Sequence, residues 1–146
     1  MTRAQGTPEN GGGMRAMSGP YRVVIVDGPE IASTLRRLLE MLGQQVETAN
    51  TGRDGIKLVM ETQPDVVFAQ IKLPDMDGIQ FAREVRSGCA KRPVLVAHTG
   101  YNKSEVAKEA KEAGFDLYMQ KPMPIEDLRG VFSFVAGESG SEQILL

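Results

Sequence analysis

Short apolar runs alternate along the chain with longer segments in which apolar residues recur every three or four positions. The runs are rich in valine, which is typical of strands that are buried on both faces. They cover residues 23–26, 66–69, 94–97 and 117–119, and residues 45–49 alternate between polar and apolar side chains as a further strand would. The pattern therefore predicts five short strands.

A segment with helical spacing follows each predicted strand. The first contains Leu35, Leu38, Leu39 and Leu42 and ends at Gly43. The predicted helices cover residues 31–42, 52–62, 79–85, 103–113 and 124–134, the last with a proline in its first turn. Strands that alternate with helices predict a parallel α/β sheet, and right-handed crossovers make it doubly wound.

The two ends of the chain lack this periodicity. Residues 1–20 are rich in glycine, proline and polar side chains and are predicted to be a flexible leader before the folded domain, residues 21–135. Residues 136–146 form a short C-terminal tail, in which we expect Ile144, Leu145 and Leu146 to fray. Because so few residues follow the last helix, we expect no DNA-binding or catalytic output domain.

Composition excludes several classes of function. The chain of 146 residues has a formal charge of −2, which disfavours a nucleic-acid-binding protein. It has one cysteine and one histidine, so an internal disulfide and a Cys/His zinc site are excluded. No apolar run is long enough to span a membrane, and the N-terminus lacks the apolar core of a signal peptide. We therefore expect a cytoplasmic protein without membrane contact.

Four polar residues stand at the carboxyl ends of predicted strands. They are Asp27, Gln70, Thr99 and Lys121. In doubly wound sheets, functional residues gather at this edge, near the point where the strand order switches. These four positions are therefore the candidate site.

The segments around them resemble the response-regulator receiver domain of two-component signalling. The motifs are VVIVDG, PDVVFAQIKLPDMDG, VAHTGY and EAGFDLYMQKP, within a resemblance that covers about residues 21–135. The resemblance implies a flavodoxin-like fold: five parallel strands in the order 2-1-3-4-5, flanked by five helices. It also implies a protein partner, namely a histidine kinase, a phosphotransfer protein or another receiver.

The resemblance assigns a role to each site position. In receivers an aspartate accepts a phosphoryl group from a phosphohistidine, and an acidic pair beside it holds Mg²⁺. That acceptor position is Gln70 here, and Asp27 belongs to the acidic pair. Thr99 and Tyr118 correspond to the switch residues, and Lys121 corresponds to the lysine that neutralises the phosphoryl group. Pro122 follows that lysine in a candidate cis bond.

The departures from the receiver pattern concern the chemistry itself. The carboxamide of Gln70 is a poor nucleophile and forms no acyl phosphate. Its side chain is either a polar strand end satisfied by its neighbours or a lock that holds one conformation. Gly28 follows Asp27 where a second acid is usual. Glu30 is the next acid along the chain, and the sequence leaves open whether its side chain reaches the pocket. We expect Mg²⁺ binding at Asp27 to be weak or lost, so the expected cofactor is none.

The other site residues can each be explained by an ordinary structural role. Asp27 is either a residual pocket acid or the N-cap of the first helix. Thr99 is expected to cap a turn, and Lys121 to pair with Asp27. Tyr118 either rotates between a buried and an exposed position or is a half-buried strand residue. His98 is expected to be a hydrogen-bonded polar residue.

The sequence thus predicts an atypical receiver, a pseudo-receiver that binds proteins without phosphorylation and is not an enzyme. The predicted interface, or homodimer contact, is the face that contains Lys103, Tyr118 and the last helix. Two alternatives stay open. One is a small-ligand sensor derived from a receiver, and the other is residual phosphoryl transfer through Asp27, Thr99 and Lys121.

Overall fold

The computed structural model describes residues 19–122, 124–138 and 143–146. Its strands form one sheet in which all pairs are parallel and the order is β2-β1-β3-β4-β5. The strands are β1 (Arg22–Val26), β2 (Gln45–Ala49), β3 (Val66–Ala69), β4 (Val94–Thr99) and β5 (Leu117–Gln120). The predicted fold class and strand order are confirmed. Most of the predicted leader lies outside the described residues.

A helix follows each strand, as the periodicity predicted. The helices are α1 (Pro29–Met41), α2 (Gly52–Thr62), α3 (Gly78–Gly88), α4 (Lys103–Ala113) and α5 (Ile125–Val135). The observed strands and helices differ from the predicted ones only in where they begin and end. Strand β4 extends two residues further than its apolar run, so His98 and Thr99 belong to the strand. In the part of the chain that the structure describes, no helix is long and apolar enough to cross a membrane.

The sheet separates two apolar clusters because successive strand residues point to opposite faces. On β1, Val23 and Ile25 belong to one cluster with residues of α1 and α5. Val24 and Val26 belong to the other, with residues of α2, α3 and α4. Both faces of the central strands are therefore buried, and their carboxyl ends are held in fixed positions.

Two glycines allow close backbone approaches. A Cβ atom on Gly78 would lie 2.5 Å from the carbonyl oxygen of Gln70, so α3 begins directly against the end of β3. Gly114 ends α4 with a φ of 116°, in the left-handed region that favours glycine. A Cβ atom there would lie 2.6 Å from Cγ of Arg86.

The prediction that the last three residues fray is wrong. Ile144 is fully buried and belongs to the apolar cluster beneath α1 and α5. An antiparallel bridge joins Leu145 to Leu117, so residues 143–146 run along the outer edge of β5. An unpaired strand edge beside an apolar pocket offers both backbone hydrogen bonds and burial, and together these outweigh the tendency of a chain end to fray.

A partly buried arginine joins α3 to the amino ends of β4 and β5. The guanidinium of Arg86 donates to the carbonyls of Gly114 and Pro93 at 2.7 Å each and contacts Asp116 Oδ2 at 2.8 Å. Asp116 also accepts a 3.0 Å hydrogen bond from the Leu95 amide. The side chains of Arg86 and Asp116 are only 16 % and 17 % exposed, so the ion pair is largely desolvated.

Replacing Arg86 by methionine should lower the free energy of unfolding by about 2–3 kcal/mol, because the partly buried Asp116 carboxylate and two carbonyls lose their main partner. The matched control is Arg92→Met, since Arg92 is 65 % exposed and lies 3.4 Å from the same carboxylate. The control should cost less than about 0.5 kcal/mol. Urea denaturation measures the free energy of unfolding of both variants. Equal decreases would contradict the conclusion that Arg86 is the main partner of Asp116.

Candidate functional site

The four candidate residues lie at one edge of the sheet, as predicted. Nζ of Lys121 lies 2.8 Å from Oδ2 of Asp27, and the Lys121 amide donates to the carbonyl of Thr99 at 2.8 Å. The amide of Gln70 donates to the carbonyl of Val26, the residue before Asp27, at 3.0 Å. The ends of β1, β3, β4 and β5 therefore bring the four residues into one site, which we call the pocket.

Asp27 is the central carboxylate of this pocket. The residue is 4 % exposed, and its Oδ1 accepts a 2.7 Å hydrogen bond from the Gly28 amide. Oδ2 forms the ion pair with Lys121, a contact of two charges rather than an aligned hydrogen bond. The alternative that Asp27 caps α1 is wrong, because the N-cap is Gly28 and makes no side-chain cap. The carboxylate instead turns toward the strand end of β5.

Gln70 does not reach across the pocket through its oxygen. Oε1 accepts a 2.8 Å hydrogen bond from the amide of Ile71, the next residue. This local bond favours the interpretation of Gln70 as a polar strand end over that of a conformational lock. A lock would tie the side chain to another element.

The second acid of the expected pair is missing from the pocket. Glu30 is exposed in the first turn of α1, where its charge complements the helix N-terminus. Gly28 has no side chain, although an added Cβ would meet no atom within 4 Å. Among the described site residues, the side-chain oxygens are thus a carboxylate paired with a lysine, an amide oxygen that accepts from Ile71 and a hydroxyl that accepts from Tyr101. This set does not fit Mg²⁺, which needs several hard oxygen ligands with compensating negative charge.

The acids of the loop after β3 hold helix ends. Asp75 accepts hydrogen bonds from the amides of Gly52 and Arg53, at 2.7 and 2.9 Å. These bonds to the N-terminus of α2 lower the pKa of Asp75 below its usual value. Asp77 is the N-cap of α3 and accepts from the Ile79 amide at 2.8 Å. Among the described residues, no group of three or more Asp, Glu, His or Cys side chains is arranged to hold a metal ion.

Thr99 and Tyr118, which were predicted to be switch residues, are both held inward. Thr99 is fully buried, and its Oγ1 accepts a 3.1 Å hydrogen bond from the Tyr101 amide, which agrees with the predicted turn cap. Tyr118 is 5 % exposed, and its hydroxyl donates to the Tyr101 carbonyl at 2.8 Å. The alternative of a half-buried Tyr118 is therefore wrong, and the ring is no exposed interface centre in this conformation. The Lys121–Pro122 bond is cis.

His98 differs most from expectation. It is 2 % exposed, and neither imidazole nitrogen has a hydrogen-bond partner among the described residues. Its Nδ1 lies 3.8 Å from Oδ2 of Asp27. Burial, with repulsion from Lys121, lowers the pKa of His98 to about 4, although Asp27 raises it. The side chain is therefore neutral at pH 7, and the prediction of a satisfied polar histidine is wrong.

A separate open cleft of about 360 Å³ lies beside the pocket. Its described lining comes from the loop after β3 and from the loop after β4. These residues are Ile71, Lys72, Leu73, Met76, Asp77 and Tyr101. The cleft is lined by neither Asp27 nor Lys121, so it is distinct from the buried pocket. Its position was not predicted, because it depends on how two loops from different parts of the chain meet.

The chain is similar to known proteins in both sequence and structure. A family model described as the response regulator receiver domain matches residues 23–133. The response regulator MprA of Mycolicibacterium vanbaalenii is 34 % identical over 110 residues, which are 75 % of this chain and 47 % of that protein. The chain thus spans about half the length of this relative.

Solved structures share the fold. A response regulator receiver domain (CheY-like) from Methylobacillus flagellatus is 31 % identical with a TM-score of 0.70, covering 78 % of this chain and 96 % of that one. The co-crystal structure of the Saccharomyces cerevisiae histidine phosphotransfer protein Ypd1 with the receiver domain of Ssk1 gives 21 % identity and a TM-score of 0.69. It covers 77 % of this chain and 86 % of that chain. At this identity the second likeness shows the fold alone.

Replacing His98 by leucine should flatten the pH dependence of stability below neutrality. The histidine pKa falls from 6.5 in the unfolded chain to about 4 in the folded one, so the unfolded chain binds the proton more readily. The contribution of neutral His98 to the free energy of unfolding is therefore fully present above pH 6.5, and it is lost as the pH falls toward 4.

By pH 4, the wild type should lose about 2–3 kcal/mol more than His98→Leu, relative to pH 7. Urea denaturation across this range measures the difference. Parallel curves for the two proteins would show that His98 is not a buried neutral group. At pH 7 the variant should be at least as stable, because it removes two unpartnered polar atoms.

Proposed function

Because this chain belongs to the response regulator receiver domain family of two-component signalling, we propose that it is a pseudo-receiver, a member that binds proteins without being phosphorylated. The observation that carries the proposal is Gln70 at the acceptor position, with its oxygen bonded to the Ile71 amide. An amide offers no nucleophile for an acyl phosphate. We further propose that this pseudo-receiver has no catalytic activity of its own and that it acts in the cytoplasm.

The charges in the pocket support this proposal. A receiver pocket needs excess negative charge to hold Mg²⁺, whereas Asp27 and Lys121 neutralise each other at 2.8 Å. The neighbouring His98 is uncharged at pH 7 because burial lowers its pKa. A nearly neutral, largely buried pocket attracts neither a divalent cation nor a phosphoryl group. We therefore propose that Mg²⁺ binding is weak or lost.

Residual phosphoryl transfer through Asp27, Thr99 and Lys121 is the less favoured alternative. The Asp27 carboxylate is 4 % exposed, accepts from the Gly28 amide and pairs with Lys121. Attack on a phosphoryl group would require this carboxylate to give up both partners. The ligand-sensor alternative would use the open cleft beside Tyr101, whose volume of about 360 Å³ suits a small molecule.

We propose that the partner is a histidine kinase, a phosphotransfer protein or another receiver. Receiver domains interact with the first two, and the complex of Ypd1 with the Ssk1 receiver domain illustrates the second for other proteins. The proposed binding surface is the β5 face, which we define as α4, β5 and α5 and which contains Lys103 and Tyr118. A homodimer through the same face is the second form of this proposal.

Acetyl phosphate with Mg²⁺ should not phosphorylate the wild-type chain, because Gln70 supplies no acceptor oxygen. The variant Gln70→Asp should be labelled poorly, since the acidic pair stays incomplete. Adding Gly28→Asp should raise the labelling at least about tenfold. The new side chain has open space there, and the φ of −59° suits any residue. Intact-mass spectra measure the added phosphoryl group.

The matched control combines Gln70→Asp with Gly28→Asn, which has the same shape without the charge. It should stay as poorly labelled as Gln70→Asp alone. Stoichiometric labelling of the wild type would overturn the pseudo-receiver proposal. Labelling at Asp27 would favour the residual-transfer alternative, and acid lability separates such an acyl phosphate from a phosphohistidine at His98.

The partner complex should form with the same Kd, within about twofold, whether or not acetyl phosphate and Mg²⁺ are present. The reason is that Gln70 accepts no phosphoryl group from the donor, so the donor cannot change the conformation of the chain. Calorimetry against purified histidine kinases and phosphotransfer proteins of the same cell measures the affinity. A tenfold or greater dependence on the phosphodonor would contradict phosphorylation-independent binding. Failure of every kinase, phosphotransfer protein and receiver to bind would overturn the binding role.

A further inference from the structure

The outer edge of β5 is already occupied by the chain itself. Residues 143–146, which we call the strap, run antiparallel to the strand. The Tyr118 amide donates to the carbonyl of Ile144 at 2.7 Å, and the Leu146 amide donates to the carbonyl of Asp116 at 3.3 Å. These two bonds flank the bridge between Leu117 and Leu145. The strap therefore adds a short sixth segment to the sheet.

The three apolar side chains of the strap have different surroundings. Ile144 is fully buried and belongs to the same apolar cluster as Leu117 and Phe132. Leu145 is 36 % exposed, and Leu146 packs against the opposite apolar cluster. The surface beneath the strap thus accepts one aliphatic side chain deeply, at the position of Ile144.

Polar groups of both flanking helices hold the beginning of the strap. On the α4 side, Nζ of Lys103 donates to the carbonyl of Gln143 at 3.2 Å. On the α5 side, the side-chain amide of Gln143 donates to Oδ1 of Asp127 at 3.2 Å. Gln143 therefore lies between α4 and α5, and the strap covers part of the surface that we propose for partner binding.

The groups that hold the strap recognise an extended backbone rather than a folded surface. Both strand bonds and the Lys103 bond go to main-chain atoms, so they accept any residue. Selectivity comes from the pocket that buries Ile144. An edge strand that pairs with an added extended segment, with a pocket for one side chain, is a recurring mode of peptide recognition.

We propose that the strap is an internal competitor at a peptide-binding edge of β5. The external ligand is an extended segment of a partner protein, with an aliphatic side chain at the position of Ile144. This inference rests on the proposed function, since it concerns the same β5 face. A partner segment binds there only when the strap leaves, so the strap sets a threshold for binding.

A synthetic peptide with the sequence of residues 139–146 serves as the probe. It should bind a chain truncated after residue 142 at least about tenfold more tightly than it binds the intact chain. The intact chain carries the same segment at the effective concentration of a short linker, which reaches the millimolar range. Amide signals of Tyr118 and its neighbours, followed by NMR during the titration, report binding at this edge.

Two peptide variants test the side-chain specificity. The peptide with Ile144→Asp should bind at least about tenfold more weakly, because its carboxylate would enter an apolar pocket. The peptide with Leu145→Asp is the matched control and should bind as the wild-type peptide does, since Leu145 is partly exposed. Equal binding of all three peptides would overturn the proposal. So would equal binding of the wild-type peptide to the truncated and intact chains.

An Ile144→Asp variant of the untruncated chain covers the case in which the truncated chain does not fold. Its Tyr118 amide should exchange with solvent at least about tenfold faster than in the wild type, and it should then bind the wild-type peptide. Unchanged exchange would overturn the proposal, as would dimerisation of either variant without peptide binding. No phosphodonor or partner protein is used, so this test succeeds or fails independently of the proposed function.

Discussion

The ion pair between Asp27 and Lys121 is the interaction on which the site depends. It joins the end of β1 to the end of β5 across the intervening strands, with Nζ 2.8 Å from Oδ2. The backbone of Lys121 is fixed at the same time, because its amide donates to the carbonyl of Thr99. In a largely buried pocket neither charge is tolerated alone, since a desolvated charge without a partner is costly. The neutral state of His98, 3.8 Å from the carboxylate, follows from the same constraint.

We propose that this ion pair takes the place of the usual acidic pocket of the receiver fold. In this proposal Gln70 and Gly28 stand in place of two acids, so one carboxylate remains to balance one lysine. The balance leaves little net charge to hold Mg²⁺ or to need it. What the fold retains is a rigid sheet whose outer strand, β5, carries a strap and two helices with charged side chains. We therefore propose that the function lies at the side of the domain, on the β5 face, rather than at the strand ends.

The sequence predicted the sheet and the positions of the site because both follow from short-range patterns. Apolar runs located the strands, and the residues that end them, such as Asp27 and Lys121, meet at one edge in any parallel sheet. The environment of His98 was not predictable in this way, because it depends on packing from several elements. The burial of Ile144 also escaped prediction, since three apolar residues at a chain end carry no period. Arg86 lies on a helix and gives no sequence sign that its partners are the carbonyls of distant loops.

The central claim is that the pocket binds neither Mg²⁺ nor a phosphoryl group, because Asp27 and Lys121 neutralise each other's charge. NMR spectra of the side-chain ammonium of Lys121 and the amides of Gly28 and Gln70 test it most directly. They are recorded while Mg²⁺ and then a phosphodonor are added. The account predicts that these signals do not move at millimolar Mg²⁺ and do not move again with the donor. Saturable shifts of the three signals with Mg²⁺, followed by a second set with the phosphodonor, would contradict it.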